Sequence, residues 1–157
     1  MRIVPKNKAI SNFDLISLCR QNNIQLNGIF AKDEMETLKV GNYIINLNNH
    51  DEAGSHWIAL VCAPSQCCYF DSFGAPPPQI IEELMRKYYT KVNFNNFIIQ
   101  SMQSQMCGYY CLGLLLWLKK ASKQRNTLIF KVNSFVNLFE DNTIKNNAHL
   151  VKFFKNN

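Results

Sequence analysis

The hydrophobic residues of this chain form short extended runs flanked by runs with helical spacing. Extended runs at residues 41–47, 56–62 and 67–73 predict three strands, and the second run is continuously apolar, as expected of a strand in the middle of a sheet. Residues 63–66 alone separate the second and third runs, so these two strands are predicted to form a hairpin. A fourth strand is predicted at residues 93–99.

Helical spacing marks the segments around these strands. Ser11 and Asp14 outline a capping box at the start of a short helix. The prolines at 76–78 cannot continue a strand but suit the entrance to a helix. The amphipathic patterns that follow predict helices at residues 79–89, 134–140 and 143–154.

The longest apolar run covers residues 107–118 and predicts a helix buried on most sides. Together these elements predict an α+β fold, in which a small, mostly antiparallel sheet packs against a central buried helix. With 157 residues, 47% of them hydrophobic and 18% charged, the chain is predicted to form a single domain over residues 1–157. The apolar run is shorter than the ~20 residues of a membrane span, and the N-terminus lacks an apolar signal core, so we expect a soluble protein made inside a cell.

Six cysteines lie at positions 19, 62, 67, 68, 107 and 111. No pair has Cys-x-x-Cys spacing and no paired-histidine motif accompanies them, so a structural zinc site is not predicted. In a reducing compartment these thiols are expected to be free. We therefore expect neither a metal nor another cofactor.

Cys107 opens the central helix and is the candidate nucleophile. Unpaired backbone N–H groups and the positive end of the helix dipole favour the thiolate form of a cysteine at this position. The competing interpretation is an ordinary buried cysteine, because a free cysteine behaves as a small apolar residue.

His56 is the strongest candidate for a general base among three histidines, because it stands where a polar loop becomes a buried strand. In the predicted hairpin Asp71 lies at the same end as His56, where its carboxylate can accept a ring N–H and fix the imidazole tautomer. With Cys107 these residues supply a base, an orienting acid and a nucleophile, which suits acyl transfer through a thioester. The backbone N–H of Cys107 and a glutamine from the loop at 100–105 are candidates to stabilise the tetrahedral oxyanion.

Three short motifs carry these candidates: His56-Trp57, Tyr69-Phe70-Asp71-Ser72-Phe73-Gly74, and Gln100-x-x-x-Ser104-x-x-Cys107-Gly108. In spacing and order they resemble the adenovirus maturation protease (adenain) family, and most of all its versions in virophages and Polinton-type elements. The resemblance covers roughly residues 28–118. The order of His, acid, Gln and Cys is also similar to that of the proteases specific for SUMO and NEDD8, and differs from the order in papain.

The resemblance implies an adenain/Ulp-like cysteine endopeptidase that processes viral capsid precursors, with glycine or another small residue before the scissile bond. It implies Cys107 as nucleophile, His56 as base and Asp71 as the orienting acid, a position where adenain itself has Glu. Gln100 is preferred over Gln103 and Gln105 as the oxyanion donor, because its spacing to the cysteine matches that in adenain. The resemblance also implies that Trp57 lies in the wall of the substrate cleft.

The net charge of +6 includes a basic cluster formed by Lys119, Lys120, Lys123 and Arg125. Such a cluster is either a solvated basic face or a surface that binds phosphates without sequence specificity. Adenain-like enzymes are stimulated by DNA and by a short viral peptide, so the resemblance makes DNA a candidate partner of this face. It further implies a monomer that acts in the virion and in the host-cell cytoplasm.

Three alternatives stay open on the sequence. A protease for ubiquitin-like modifiers would share the order of catalytic residues, and so would an acetyltransferase of the bacterial effector type. A basic module that binds DNA or capsid without catalysis would leave Cys107 unreactive.

Overall fold

The computed structural model describes residues 2–53 and 55–157 and consists of helices around one sheet. The helices are α1 Asn12–Gln21, α2 Gln79–Tyr88, α3 Cys107–Lys120, α4 Leu128–Val136 and α5 Asn146–Asn156. A 3-10 turn at Thr143–Lys145 leads into α5. The strands are β1 Gly28–Ala31, β2 Gly41–Asn46, β3 Trp57–Cys62, β4 Gln66–Phe70 and β5 Lys91–Phe94. The predicted α+β class is confirmed.

The strands lie side by side in chain order. β2, β3 and β4 pair antiparallel, whereas the edge strands β1 and β5 pair parallel with their neighbours, which makes the sheet mixed. The predicted hairpin is confirmed, with Cys62 opposite Cys67 and Ala59 opposite Phe70. This register returns the chain to the end of the sheet where β3 began.

Each face of the sheet is covered by helices. One face packs against α3, whose residues from Cys107 to Leu116 are all buried, as the apolar run predicted. Val132 and Phe135 of α4 and Leu150 of α5 complete that core. The other face packs against the buried Ile81 and Met85 of α2. Burial of this apolar surface is the main force that places α3 against β3. Among the described residues no helix is long and apolar enough to cross a membrane.

Two strand predictions were too long. The strand predicted at 67–73 ends at Phe70, because the chain turns there with Gly74 N–H bonded to the Asp71 carbonyl at 2.8 Å. The strand predicted at 93–99 is β5, Lys91–Phe94, and residues 95–99 form a loop. Asn95 N–H still donates to the Tyr69 carbonyl at 3.3 Å, while its side chain bonds both backbone groups of Asp71, where the turn after β4 begins.

The helix predictions differ mainly in their ends. Ser11 caps α1 as predicted, its hydroxyl accepting from Asp14 N–H at 3.1 Å. The helix predicted at 134–140 is α4, which begins earlier because Thr127 caps it through Phe130 N–H at 3.3 Å. The helix predicted at 143–154 is divided between the 3-10 turn and α5, and α2 ends one residue before the predicted 79–89.

The N-terminal segment packs over the first turn of α3. Trp57 Nε1 donates to the Ile10 carbonyl at 2.9 Å, which holds Ile10 against the helix. Gly108 makes this approach possible, because a Cβ at Gly108 would lie 2.3 Å from Ile10 Cγ2 and 3.2 Å from Trp57 Cδ1. A larger residue at 108 would push the segment away from the helix.

Gly108→Ala is expected to destabilise the fold. Overpacking at such a contact costs about 1–3 kcal/mol, and the better helix propensity of alanine offsets at most about 1 kcal/mol of it. The urea midpoint should therefore fall. In an Ile10→Ala background the same change should cost less, because the opposing methyl group is absent. A midpoint that rises in the wild-type background would show that the contact does not constrain the helix.

Candidate active site

The starts of α3 and β3 and the end of β4 meet at one cleft of about 800 Å³. Five of the residues that line it, drawn from four separate stretches of the chain, are His56, Trp57, Phe73, Gln100 and Cys107. The N-terminal segment forms another wall through residues 9–12. The structure thus brings the predicted base, nucleophile and oxyanion donor to a single open groove.

Cys107 is the first residue of α3 and its side chain faces this groove while staying 94% buried, with 6% of its surface exposed. The backbone N–H of Trp57 donates to its sulfur at 3.4 Å. The preceding residue, Met106, provides no side-chain cap, so side chains do not compete for the backbone N–H groups of the first helical turn. These donors and the helix dipole favour negative charge on the sulfur.

His56 lies between Cys107 and Asp71. Its Nε2 donates to Asp71 Oδ1 at 2.7 Å, and Cys107 is near enough to the ring to contribute to the raised pKa of His56. Because Nε2 is engaged with the acid, Nδ1 is the ring nitrogen left to exchange a proton with the thiol. The histidine is therefore held in the tautomer that can exchange a proton with the thiol.

Burial lowers the pKa of His56, but the hydrogen bonds to Asp71 and Cys107 and the negative charge of both groups outweigh burial and raise this pKa to about 9. The imidazole is consequently a cation at neutral pH. The thiolate is the nucleophilic form of cysteine, and a neighbouring imidazolium is one of the groups that generate it in thiol enzymes.

Asp71 is fixed on all sides at the end of β4 and is 1% exposed. Its Oδ1 also accepts from Phe73 N–H at 2.8 Å, so the carboxylate orientation does not depend on His56 alone. Asn95 bonds both backbone groups of Asp71, accepting from its N–H at 2.8 Å and donating to its carbonyl at 2.7 Å. Sequence reasoning missed Asn95, because nothing in the local sequence distinguishes it from Asn93 and Asn96.

Phe73 is a second residue that sequence reasoning missed. Its ring stacks on the His56 imidazole with 4.7 Å between centroids and 28° between planes. The contact follows from the hairpin register, since continuing the pairing of Ala59 with Phe70 brings residue 73 opposite residue 56. An aromatic face against a cationic ring is favourable, and it restricts rotation of the imidazole.

Of the three candidate glutamines, Gln100 is the one that is buried, with 1% of its surface exposed, and it lines the cleft. Gln103 is exposed and accepts a hydrogen bond from Ser101 at 2.7 Å. Gln105 lies exposed at the rim. Gln100 Nε2 donates to the Ser104 carbonyl at 3.0 Å, next to the start of α3. Its position is the one suited to a donor for an oxyanion near Cys107.

The remaining histidines and cysteines lie apart from this arrangement. His50 pairs with Asp33 at the exposed rim of the cleft, and His149 Nε2 lies 3.4 Å from Glu140. All six thiols are free, and the other five cysteines are buried, as Cys107 is. Cys107 is the cysteine that lines the cleft.

The fold is similar to that of the ASFV pS273R protease. Two crystal structures of the ASFV pS273R protease match it, one of them of the selenomethionine protein, with TM-scores of 0.54 and 0.55. Their sequence identities are 16% and 14%, and the match covers 98% of this chain and 70% of the protease chain in both cases. No family model matches the sequence, and no curated protein matches it. At this identity the likeness establishes the fold.

The His56 ring is expected to titrate near pH 9 by NMR, because Asp71 and Cys107 stabilise its protonated form. In Asp71→Asn the pKa of His56 should fall toward or below the ordinary value of 6.5. Burial lowers this pKa, and the variant lacks the carboxylate that raises it. Protonated His56 should stabilise the fold in full below about pH 6.5, and this contribution should be lost as the pH rises through 9.

Asp33→Asn is the matched control for this titration. The hydrogen bond to Asp33 raises the pKa of His50, so the change should lower the pKa of His50 and leave that of His56 in place. A His56 ring that titrates below 6.5 in the wild-type chain would contradict the geometry of the site.

Proposed function

We propose that this chain is a cysteine endopeptidase. The observation that carries the proposal is that His56, hydrogen-bonded to Asp71, lines the same open cleft as Cys107. A buried ion pair is costly unless its geometry is well satisfied, and here each partner has further donors or acceptors. The ASFV pS273R protease shares the fold, which supports the same class of chemistry.

The Cys107 thiolate attacks the carbonyl carbon of the scissile peptide bond. The developing oxyanion accepts hydrogen bonds from the backbone N–H of Cys107 and from the Gln100 amide. His56, as the imidazolium, donates its proton to the departing amine when the C–N bond breaks, which leaves a thioester on Cys107. Neutral His56 then removes a proton from water as the water oxygen attacks the thioester carbonyl. The C–S bond breaks, which releases the acid and restores the Cys107 thiolate and the His56 imidazolium. Asp71 holds the ring in place through both steps.

The substrate class follows from the resemblance and from the shape of the cleft. Trp57 lines the cleft next to His56, and its ring nitrogen is committed to the Ile10 carbonyl, so the indole is a fixed wall. The resemblance implies glycine or another small residue before the scissile bond, and a fixed aromatic wall beside His56 suits such a residue. The proposed substrates are capsid precursor proteins, cleaved in the virion or the host-cell cytoplasm during virus maturation.

A modifier protease is the second candidate function, since it would use the same site. The likeness to a viral protease favours the viral substrate.

DNA remains a proposed partner of the basic cluster. Two lysines of this cluster already donate hydrogen bonds to other residues of the chain. Lys119 Nζ donates to the Asn22 carbonyl at 2.9 Å, and Lys120 Nζ donates to Asn157 Oδ1 at 2.8 Å. The exposed Lys123 and Arg125 are the members that carry this proposal.

The test is cleavage of a peptide library with small residues before the scissile bond, together with the coat proteins encoded in the same genome. The wild-type chain should cut at specific sites, and iodoacetamide should alkylate Cys107 in preference to the other thiols. Cys107→Ala should lower turnover by at least about 10³-fold, because the described cysteines other than Cys107 do not line the cleft.

Cys111→Ala is the matched control, since Cys111 lies one turn later in α3 and is fully buried. It should retain cleavage. Equal activity of Cys107→Ala and the wild type would refute the assignment, and cleavage of folded modifier precursors in place of coat proteins would favour the second candidate.

A further inference from the structure

The turn at 71–74 and the loop at 95–100 are locked together by their backbones. The Ser72 carbonyl accepts from both Ile99 N–H at 2.9 Å and Gln100 N–H at 3.0 Å. Gly74 has a φ of +68°, and a Cβ there would lie 2.8 Å from the carbonyl carbon of Phe97. The turn that carries the acid therefore also fixes the backbone of the residue proposed to bind the oxyanion.

The side chain of Ser72 acts on Gln100 separately from this backbone contact. Ser72 is fully buried, and its hydroxyl donates to Gln100 Oε1. On the other side of the amide, Gln100 Nε2 donates to the Ser104 carbonyl at 3.0 Å. If the amide turned over, Oε1 would face the Ser104 carbonyl oxygen, and two acceptors with no proton between them repel. A donor on one side and an acceptor on the other thus define one orientation.

This orientation directs the nitrogen of Gln100 toward Ser104, three residues before Cys107, and Gln100 itself lines the cleft. The amide has two N–H groups, and the shorter contact uses one of them for the Ser104 carbonyl. The longer contact, 3.3 Å to the Ser104 hydroxyl, is the one for which a substrate oxyanion would compete. A hydrogen bond to a charged oxygen is about twice as strong as one to a neutral hydroxyl. The oxyanion would therefore replace the Ser104 hydroxyl as the acceptor of that N–H.

We propose that Ser72 is a positioning residue for the oxyanion hole: its hydroxyl fixes the Gln100 amide with the nitrogen toward the cleft. The inference rests on the proposed protease function and deepens it. Ser72 does not touch the substrate. Its effect reaches the reaction through Gln100, at the stage when negative charge develops on the carbonyl oxygen.

The first test compares kinetic constants of Ser72→Ala, Gln100→Ala and the double variant. Removing an oxyanion donor outright costs about 10²–10³-fold in kcat, so Gln100→Ala should fall in that range. Ser72→Ala leaves the donor present but free to rotate, and we expect a loss of roughly 10-fold in kcat with little change in KM. Because both act through one amide, the double variant should be no slower than Gln100→Ala.

Ser101→Ala is the matched control. Ser101 is the neighbour of Gln100 in the chain, but its hydroxyl donates to the exposed Gln103. This variant should keep the wild-type kcat. Losses of Ser72→Ala and Gln100→Ala that multiply in the double variant would overturn the proposal, because Ser72 would then act independently of the amide.

The second test separates the oxyanion hole from the nucleophile. Alkylation by iodoacetamide needs the Cys107 thiolate but creates no oxyanion, so Ser72→Ala should react at the wild-type rate. A peptide aldehyde forms a hemithioacetal whose oxygen occupies the oxyanion site, so Ser72→Ala should bind it about 10-fold more weakly. If Ser72→Ala slowed alkylation as much as cleavage, Ser72 would serve the turn that holds Asp71, and the proposal would be wrong.

These outcomes also distinguish the two proposals. A wild-type chain that cleaves no substrate and shows no preferential alkylation of Cys107 would overturn the protease function and this inference together. An active wild-type chain whose kcat is unaffected by Ser72→Ala would overturn the positioning role and leave the protease function standing.

Discussion

The burial of α3 against the sheet is the constraint on which the rest of the structure depends. From Cys107 to Leu116 the helix has no polar face, so it can only lie between the sheet and the helices α4 and α5. That placement carries the first residue of the helix to the start of β3, where the Trp57 N–H reaches the sulfur. The position of the proposed nucleophile is thus determined by hydrophobic packing along the whole helix, and not by the few polar contacts around it.

The second determinant is polar and local. Asp71, Asn95 and Gln100 are each at most 2% exposed, and a buried polar group without a partner costs on the order of 1–3 kcal/mol. Their hydrogen bonds join the end of β4 to the loop after β5: Asn95 bonds both backbone groups of Asp71, and Gln100 accepts from the Ser72 hydroxyl. The hydrophobic core brings the elements together, and this network selects one arrangement of the turn and loop.

The sequence predicted the central helix, the hairpin and the positions of His56, Asp71 and Cys107, because each depends on a local pattern of apolar and polar residues or on spacing within one hairpin. It did not predict that β5 ends at Phe94, since the hydrogen bonds of the next side chain, Asn95, go to Asp71, which is distant in the chain. The role of Asn95 was missed for the same reason, because a hydrogen bond between distant segments leaves no periodic pattern in the sequence. Phe73 could have been found, since the hairpin register places residue 73 beside His56.

The proton-transfer system and the oxyanion hole of the proposed reaction both depend on the turn at residues 71–74. Asp71, which holds the base, and Ser72, whose hydroxyl contacts Gln100, are consecutive residues of one tight turn. A proton-transfer system and an oxyanion hole must be aligned with the same carbonyl group, since small displacements at a reacting centre lower rates steeply. Because the acid of the proton-transfer system and the residue that orients the oxyanion donor belong to one turn, the backbone of that turn sets their relative position. Gly74 and the loop at 95–100 hold this backbone in place. Cys107 completes the alignment from the opposite side of the cleft, through the packing of α3.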